Sequence, residues 1–557
     1  MIKFLLSLFI PFRWFIETMG ADFNQFICIL ELKLTMDNRR TKSLKNNSKD
    51  TTENALIKQA FGQILMGSFM AISLFSVKSA FTYYYLMHII LMVLLGMMII
   101  SEFTTILFDT SENVIIQPLP INGNTINLAR NAHIFLYLTM IASNISVVSI
   151  IIAIIKFGLL SGLFFTLSIL LNVLFTLFLT NILYLGIMHI TTGEQLKNIL
   201  MYFQIVITVL FMVGYQFGLN VVDKSQIQNL TLHIDWYSFL IPAAVFSGLV
   251  DSLSFGIFDW QHILFVIEAI TLPLVATFIT GRYLTPIFNR KLMDLEQGDR
   301  ATKVKSFSRR TSIWYNLMSK IFVYRQDEKA SFLLGWKMTG SERLFKQTFF
   351  PSLAYVVIMI AVQFSRKSFD MAQMAATNLY LVLLYSFIII SFTLSNALLY
   401  GNNQHAHWIF KILPVESPAN YFKGFIKAAF ARYFIPFYIA LSVGICFIWG
   451  IKVLPDVIIA LLAIYLFTLL YYYFQQPSFP FAQPKLATQG GGVFLKIMGL
   501  ILLSVILGFA HYFLTKWHIY GRVVLLTFYI AAIIYINNVF VYKVITWKSV
   551  DKANSYT

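Results

Sequence analysis

Long apolar runs broken by short polar segments dominate this chain. Runs long enough to cross about 30 Å of hydrocarbon fall near residues 61–79, 82–101, 132–156, 159–190, 199–220 and 262–284. Six more fall near 348–364, 377–400, 429–450, 455–474, 493–514 and 521–546. The pattern predicts an all-α polytopic membrane protein with about 12 transmembrane helices, arranged as two parallel six-helix repeats. The run 159–190 exceeds what one upright span needs, so it is tilted, extends past the bilayer or is partly interfacial. The expected divisions are a cytoplasmic or interfacial lead over 1–60, a first half over 61–286, a basic cytoplasmic linker over 287–347 and a second half over 348–557.

Two polar interruptions share one arrangement. Each follows a long apolar run, ends in a Leu-Pro step and leads through a polar stretch into the next run. The first reads Ser111-Glu112-Asn113-Val114-Ile115-Ile116-Gln117-Pro118-Leu119-Pro120-Ile121, and the second His405-Ala406-His407-Trp408-Ile409-Phe410-Lys411-Ile412-Leu413-Pro414-Val415. Segment 112–121 is too polar to span and too short to fold alone, yet Val114, Ile115, Ile116 and Leu119 give it an apolar side with which to dock. Pro120 and Pro414 end the turn and fix the exit direction, because proline lacks the N–H and restricts the residue before it. A short amphipathic element repeated between membrane helices suits a protein that is pushed from one side by something soluble; an ordinary interfacial loop is the plainer alternative. The repeat also extends upstream. Leu30-Glu31-Leu32-Lys33-Leu34-Thr35-Met36 precedes the first span and Leu334-Gly335-Trp336-Lys337-Met338-Thr339-Gly340 precedes the seventh.

Composition supports the membrane reading: 58% of residues are hydrophobic, 12% are charged and mean hydropathy is +0.72, more apolar than a soluble domain tolerates. In a soluble protein the net charge of +17 would suggest nucleic acid; here it marks cytoplasmic loops and contact with anionic membrane lipids, and no nucleic-acid partner is expected. Cations crowd residues 39–49 and the linker, whereas the segment Val221 to Gln261 carries Asp223, Asp235, Asp251 and Asp259 against Lys224. Both termini are therefore expected on the cytoplasmic side. Cys28 and Cys446 are too few for a disulfide framework or a thiolate metal site.

The chemistry-bearing motifs are mostly negative. No Gly-x-x-x-x-Gly-Lys-Ser/Thr cradle exists, since Gly490-Gly491-Gly492 runs into Val493-Phe494-Leu495-Lys496. If ATP is the energy source, a separate polypeptide hydrolyses it. His405 and His407 are two apart, which on a helix separates their side chains, and no further ligands complete a metal set. Neither a His-Glu-x-x-His nor a Gly-x-Ser-x-Gly motif occurs, and the spacing of His233, Asp235 and His511 ties none of them into a nucleophile and base. No catalytic residue and no metal are expected. Glu268 is the one acidic residue well inside an apolar run; a carboxylate there lines a pathway or faces an outer vestibule. The outer segment 225–258 is amphipathic and rich in aromatics, so it either lies in the outer headgroup layer or dips back into the membrane. Met1 to Phe15, interrupted by Pro11, reads as an interfacial helix on the inner leaflet rather than a cleaved signal.

Six spans per unit, a basic amphipathic lead, the polar element with Leu-Pro between spans two and three, and the outer segment between spans five and six resemble the transmembrane subunits of ABC-2 type, or type V, exporters. Here two such units look fused, as in ABC exporter permeases. The resemblance covers nearly the whole chain and rests on layout rather than an invariant signature. It implies a permease in the cytoplasmic membrane of a bacterium, with coupling helices at Thr110 to Asn122 and Asn403 to Glu416 seated on a dimeric ABC ATP-binding subunit that holds ATP and Mg. The implied coupling residues are Glu112, Ile115, Ile116, Leu119 and Pro120, then His407, Trp408, Leu413 and Pro414. Aligning Pro120 on Pro414 puts Ala406 opposite Glu112, so the second element lacks that acid. Two other classes stay open. An ion- or proton-coupled secondary transporter would need intramembrane charges, and a membrane enzyme on lipid-linked substrates would need acidic or His clusters at one face.

Overall fold

Hydrocarbon offers no water to backbone N–H and C=O groups, so a chain this apolar must close its hydrogen bonds inside helices or a barrel. The computed structural model takes the helical route. It describes residues 6–7, 9–40, 55–106, 120–190, 193–220, 232, 234–280, 284, 313–365, 377–401, 409–412, 417–474, 479–483, 490–515 and 518–554. Among these there is no strand, and one isolated bridge joins Tyr400 and Gln483. Eleven helices among the described residues are long and apolar enough to cross a membrane. The chain is an all-α, multi-pass membrane protein.

Two compact units emerge: Met1–Ile207 with Val222–Lys303 and Leu486–Leu495, and Thr208–Val221 with Val304–Lys485 and Lys496–Thr557. The helices of the first part of the chain are α1 (Arg13–Thr18), α2 (Phe23–Arg40), α3 (Ala55–Ser73), α4 (Ala80–Ile106), α5 (Gly123–Phe157), α6 (Leu159–Ile190), α7 (Gly193–Asn220), α8 (Pro242–Phe255) and α9 (Trp260–Ile279). The expected first span, 61–79, is shifted: its helix runs Ala55–Ser73, starting six residues earlier and stopping six residues sooner. Residues 74–76 turn, and Lys156 at the end of α5 donates its ammonium to the carbonyls of Phe75 and Val77, with the rings of Phe75 and Phe157 5.4 and 5.2 Å away. A cation that satisfies loose carbonyls at a helix end terminates the helix there.

Ahead of α8, Trp236, Tyr237 and Leu240 are exposed, and the Tyr237 hydroxyl donates to Asp235 at 2.6 Å. That bond and the carboxylate charge raise the Tyr237 hydroxyl above its ordinary pKa. The chain then enters α8, which does not lie along a surface. Ala243 through Val250 and Ser252 are buried, and α8 packs against α4, α6 and α9. Its small residues explain why it fits. A Cβ on Gly248 would sit 2.3 Å from the Phe265 ring on α9, and small residues are what allow apolar helices to approach this closely. The pair Asp251 and His262, 3.7 Å apart, closes the α8–α9 hairpin.

A polar ladder threads the first unit's core. Ser168, Asn172, Thr176 and Thr180 recur every fourth residue on one face of α6. Asn172 donates to His88 Nδ1 at 2.9 Å, so His88 donates from Nε2 to Ser168 Oγ at 3.0 Å, which in turn donates to the Phe165 carbonyl. Every polar atom of the imidazole has a partner, and His88 is a neutral core histidine.

The remaining helices are α10 (Ile313–Phe322), α11 (Gln326–Ser341), α12 (Arg343–Ser365), α13 (Leu379–Ser386), α14 (Ile388–Ala397), α15 (Ile409–Ile412), α16 (Ala419–Ala429), α17 (Ile435–Trp449), α18 (Leu454–Phe474), α19 (Gly490–Thr515), α20 (His518–Tyr535), α21 (Val541–Val544) and α22 (Trp547–Asn554). The expected run 429–450 starts earlier than its hydropathy indicates, because α16 continues through a π turn at Phe430–Phe434 into α17 as one apolar helix, Ala419–Trp449. α11 and α16 pack closely against each other. Ideal Cβ atoms at Gly424 and Gly335 would lie 2.5 Å from Ser331 Cβ and 3.0 Å from Phe425 Cα.

These contacts predict that Gly424→Ala and Gly67→Ala, the latter with its new Cβ 1.9 Å from the Ile145 carbonyl oxygen, each cost about 1–3 kcal/mol through overpacking. Gly444→Ala meets nothing within 4 Å and should be neutral. Thermal unfolding of the detergent-solubilised protein reads all three.

Candidate functional site

The sequence singled out two Leu-Pro elements. Of the first, Glu112, Ile115, Ile116 and Leu119 lie outside the described residues, whereas Pro120 is exposed. The chain leaving it is stapled to the turn that precedes α2. The Asn122 side chain accepts from the Asn124 N–H at 3.2 Å, which caps α5, and donates to the Gly20 carbonyl at 2.9 Å. Thr125 Oγ1 accepts from the Asp22 N–H at 3.0 Å. Gly20 adopts φ +78°, a conformation that costs L side chains energy. Beyond the staple α2 lies along α5, with Phe26, Ile29 and Leu30 buried against Ala129 and Leu136.

Of the second element, His407, Trp408, Leu413 and Pro414 also lie outside the described residues; the turn between them, α15, does not. Phe410 is its buried foot, 5.2 Å from the Tyr421 ring, 6.0 Å from Phe425 and 5.1 Å from Phe479. Ile409 and Ile412 are 48% and 67% exposed, so the turn keeps an apolar side outward. Its upstream root is pinned as well. Phe481 and Gln483 donate backbone N–H bonds to Leu398 and Leu399, and Gly401 donates to Gln483. A Cβ at Gly401 would come 2.2 Å from the Phe481 carbonyl oxygen. Phe481 itself holds φ +59°, strain of about 1–3 kcal/mol that persists only where the surroundings dictate it.

The chain leaving the second element is clasped by α11, as α2 lies along α5 in the first unit. Lys427 on α16 meets Glu328 on α11 at 2.5 Å and donates to the Phe322 carbonyl at 2.9 Å. Arg432, in the π turn, donates to the Trp336 carbonyl and stacks 5.4 Å above the Trp336 ring, while the Tyr433 hydroxyl donates to the Thr339 carbonyl at 3.0 Å. At the other edge the Tyr542 hydroxyl donates to Asn420 at 2.9 Å. The two stretches matched in the sequence, 30–36 and 334–340, thus lie on α2 and α11, the helices that hold the one following each Leu-Pro step, and supply part of each contact: Leu30 and Leu34 in the first, Gly335, Trp336 and Thr339 in the second. No protein-family model, curated protein or solved structure matches this chain.

A second cluster was not visible in the sequence. Asp456, fully buried in the first turn of α18, accepts from Arg522 Nε at 2.7 Å and Nη2 at 2.9 Å and from the Tyr380 hydroxyl at 2.9 Å. The His511 ring stands 3.6 Å from the same carboxylate, with Nδ1 3.1 Å from the Tyr385 hydroxyl. The group ties the beginnings of α13, α18 and α20 to the end of α19. Glu268, by contrast, is half-buried at the edge of α9, between the buried face of Phe265 and Ala269 and the exposed face of Ile267 and Ile270. Its carboxylate has no hydrogen-bond or ion partner among the described residues. Groups of three or more His, Cys, Asp or Glu able to hold a metal do not occur among the described residues.

Arg522→Ala should cost about 3–5 kcal/mol by stranding the Asp456 carboxylate, and Lys427→Ala a similar amount by stranding Glu328. Asp456→Asn and Glu328→Gln, added to the respective first change, should recover part of each loss. Double-mutant cycles on unfolding midpoints check this, and additive losses would count against both pairs.

Proposed function

We propose that the chain is the transmembrane permease subunit of an ATP-driven exporter of the ABC-2 type, moving an unidentified substrate (a peptide, a lipid or an amphipathic molecule) by alternating access. A separate, dimeric ABC ATP-binding subunit would carry ATP and Mg and dock on the two Leu-Pro elements from the cytoplasmic side of a bacterial inner membrane, where both termini of this chain also lie. The single observation that supports this is the recurrence, in both units, of a pre-membrane helix clasped on the helix that follows the Leu-Pro step. A push on Glu112, Ile115, Ile116, Leu119 and Pro120 enters α5, a helix of 35 residues, at its stapled N-terminus. A push on His407, Trp408, Leu413 and Pro414 enters α16 and α17 through Phe410 and the α11 clasp. Rigid helices pushed at one end shift as bodies, the kind of motion that alternating access requires. None of these residues needs to make or break bonds.

The rival reading is a proton- or ion-coupled secondary transporter. One observation favours it: the Asp456, Arg522, His511 and Tyr380 cluster, because ionisable groups buried in a membrane protein commonly serve transport.

Co-purification with a nucleotide-hydrolysing subunit, followed by transport in proteoliposomes, separates the two. Glu112→Lys, Trp408→Ala and Ile412→Asp should each lower nucleotide-dependent transport on the order of tenfold, the scale of a typical coupling free energy, with unfolding midpoints unchanged. Full transport without any such partner, abolished by collapsing the proton gradient, would exclude the exporter in favour of the rival. Glu268→Ala and Glu268→Gln test the pathway role: a substrate-lining carboxylate predicts altered transport in both, and wild-type rates in both remove it.

A further inference from the structure

α10 has two apolar faces, and only one is used inside its unit. Tyr315, Met318 and Phe322 pack on Phe332, Trp336, Ala428 and Ala431, with the Tyr315 ring 5.8 Å from Phe332 and 5.5 Å from Trp336. On the opposite side Ile313 is 89% exposed, Leu317 49% and Ile321 53%, and Tyr324 just past the helix is 89% exposed. At about 100° per residue the three aliphatic side chains fall within about 80° of one another. They form a stripe rather than scattered surface residues.

Three features say what covers that stripe. Ala428 and Ala431, which α10 touches, lie nine and twelve residues into an apolar helix long enough to cross the membrane, Ala419–Trp449, beside Lys427 and Arg432 and just ahead of its charge-free stretch from Tyr433 to Trp449, so α10 sits at the level where that helix enters the bilayer. The stripe is flanked by cations: Lys320, Arg325 and Lys329 are exposed, while the neighbouring Glu328 is buried against Lys427. The sequence that leads into α10 carries Arg300, Lys303, Lys305, Arg309 and Arg310 with no acidic residue between them. Finally, the same feature recurs at the same point of the repeat in the first unit. Ile10, Phe12 and Trp14 are 61%, 58% and 77% exposed, whereas Ile16 is buried beside Phe26 ahead of α2.

We propose that the Ile313, Leu317 and Ile321 face of α10 is seated in an anionic phospholipid surface, with Lys320 and Lys329 on its headgroups. A residue run that the sequence assigns to a cytoplasmic linker is then a membrane contact, and α10 joins α11 and α16 to the bilayer plane. An interfacial helix of this kind buries its apolar side about 5–10 Å into the headgroup and acyl boundary and gains from anionic lipid. The inference does not depend on which energy source drives the protein.

The test uses the full-length protein with Cys28→Ser and Cys446→Ser, the only two cysteines, and an environment-sensitive fluorophore on Leu317→Cys. The protein is reconstituted without any partner, in phosphatidylcholine alone or in phosphatidylcholine containing phosphatidylglycerol. The expected result is a blue-shifted emission, quenched by spin-labelled lipid, in the anionic vesicles. Lys320→Glu combined with Lys329→Glu should reverse that shift. Emission open to aqueous iodide in both lipids overturns the proposal and leaves the stripe for a protein partner. An equal blue shift in both lipids, untouched by the charge reversals, overturns the anionic preference. Unfolding midpoints of the labelled variants confirm that the fold is intact.

Discussion

An unpartnered polar group in hydrocarbon costs several kcal/mol, and most of the described architecture follows from avoiding that cost. Hydroxyls within the apolar helices turn back on carbonyls one turn earlier, as Ser247 does on Ala243 and Thr176 on Asn172. His88 has both ring nitrogens engaged, and Lys156 spends its charge on the open carbonyls of the α3–α4 turn. Among the described residues the buried carboxylates have cations in reach, Glu328 with Lys427 and Asp456 with Arg522. Each such pair joins residues far apart in the chain, so satisfying the groups also selects which helices become neighbours. Dispersion alone would not, because one leucine-rich helix face packs on lipid as well as on another.

Glycine contacts and charges act together at the α11–α16 pair. Gly335 and Gly424 bring the two helices close enough for Lys427 to reach Glu328, and the π turn at Phe430–Phe434 aims Arg432 and Tyr433 at the α11 carbonyls. A π turn inserted in an α-helix is locally costly and tends to occur where function holds it. The first unit reaches the same end with different chemistry: a hydrogen-bonded staple among Gly20, Asn122, Asp22 and Thr125, then aliphatic packing along α2 and α5. Two unlike sets of contacts that fix the same pair of elements point to the pairing itself as what the chain needs.

Helix period and span length were legible in the apolar runs, since a stretch that must bury its backbone in lipid leaves little choice of structure. The errors come from tertiary effects. The first run was expected to reach residue 79, but its helix ends at Ser73; the Lys156 contacts that mark this end come from 81 and 79 residues away. For segment 225–258 the sequence left a surface helix and a dip back into the membrane open; the buried α8 favours the second, and Ala243, Ala244, Ser247 and Gly248, small residues at the spacing of a crowded helix contact, were its sign. Asp456 and Arg522 lie 66 residues apart in separate apolar runs, and no spacing rule joins them. Glu268 drew attention by standing alone in an apolar run, yet on α9 it falls at the margin of the buried face. For Glu112, Ile115, Ile116, Leu119, His407, Trp408, Leu413 and Pro414, what bears on them is their surroundings: the capped start of α5 and the Phe410 foot.

The position of the Asp456 cluster limits what it can do. Asp456 is two residues from the start of α18 and His511 four from the end of α19, so both lie within roughly 3–6 Å of a helix end. A proton relay would have to continue along α18, where the next buried hydroxyls are those of Tyr465 and Thr468, nine and twelve residues or about 14 and 18 Å further on. Ala460 and Ile464 occupy the face between. The serine hydroxyls of α13 and α14 in this interval are already engaged: Ser386 donates to the Leu383 carbonyl, and Ser391 pairs with Thr468. Among the described residues the hydrogen-bonded groups therefore form two separate sets. A cluster at the helix ends with its carboxylate bound three ways is built to hold α13, α18, α19 and α20 together at one face. That is the behaviour of a clamp, which a permease driven from its other end can use as well as a proton-coupled one.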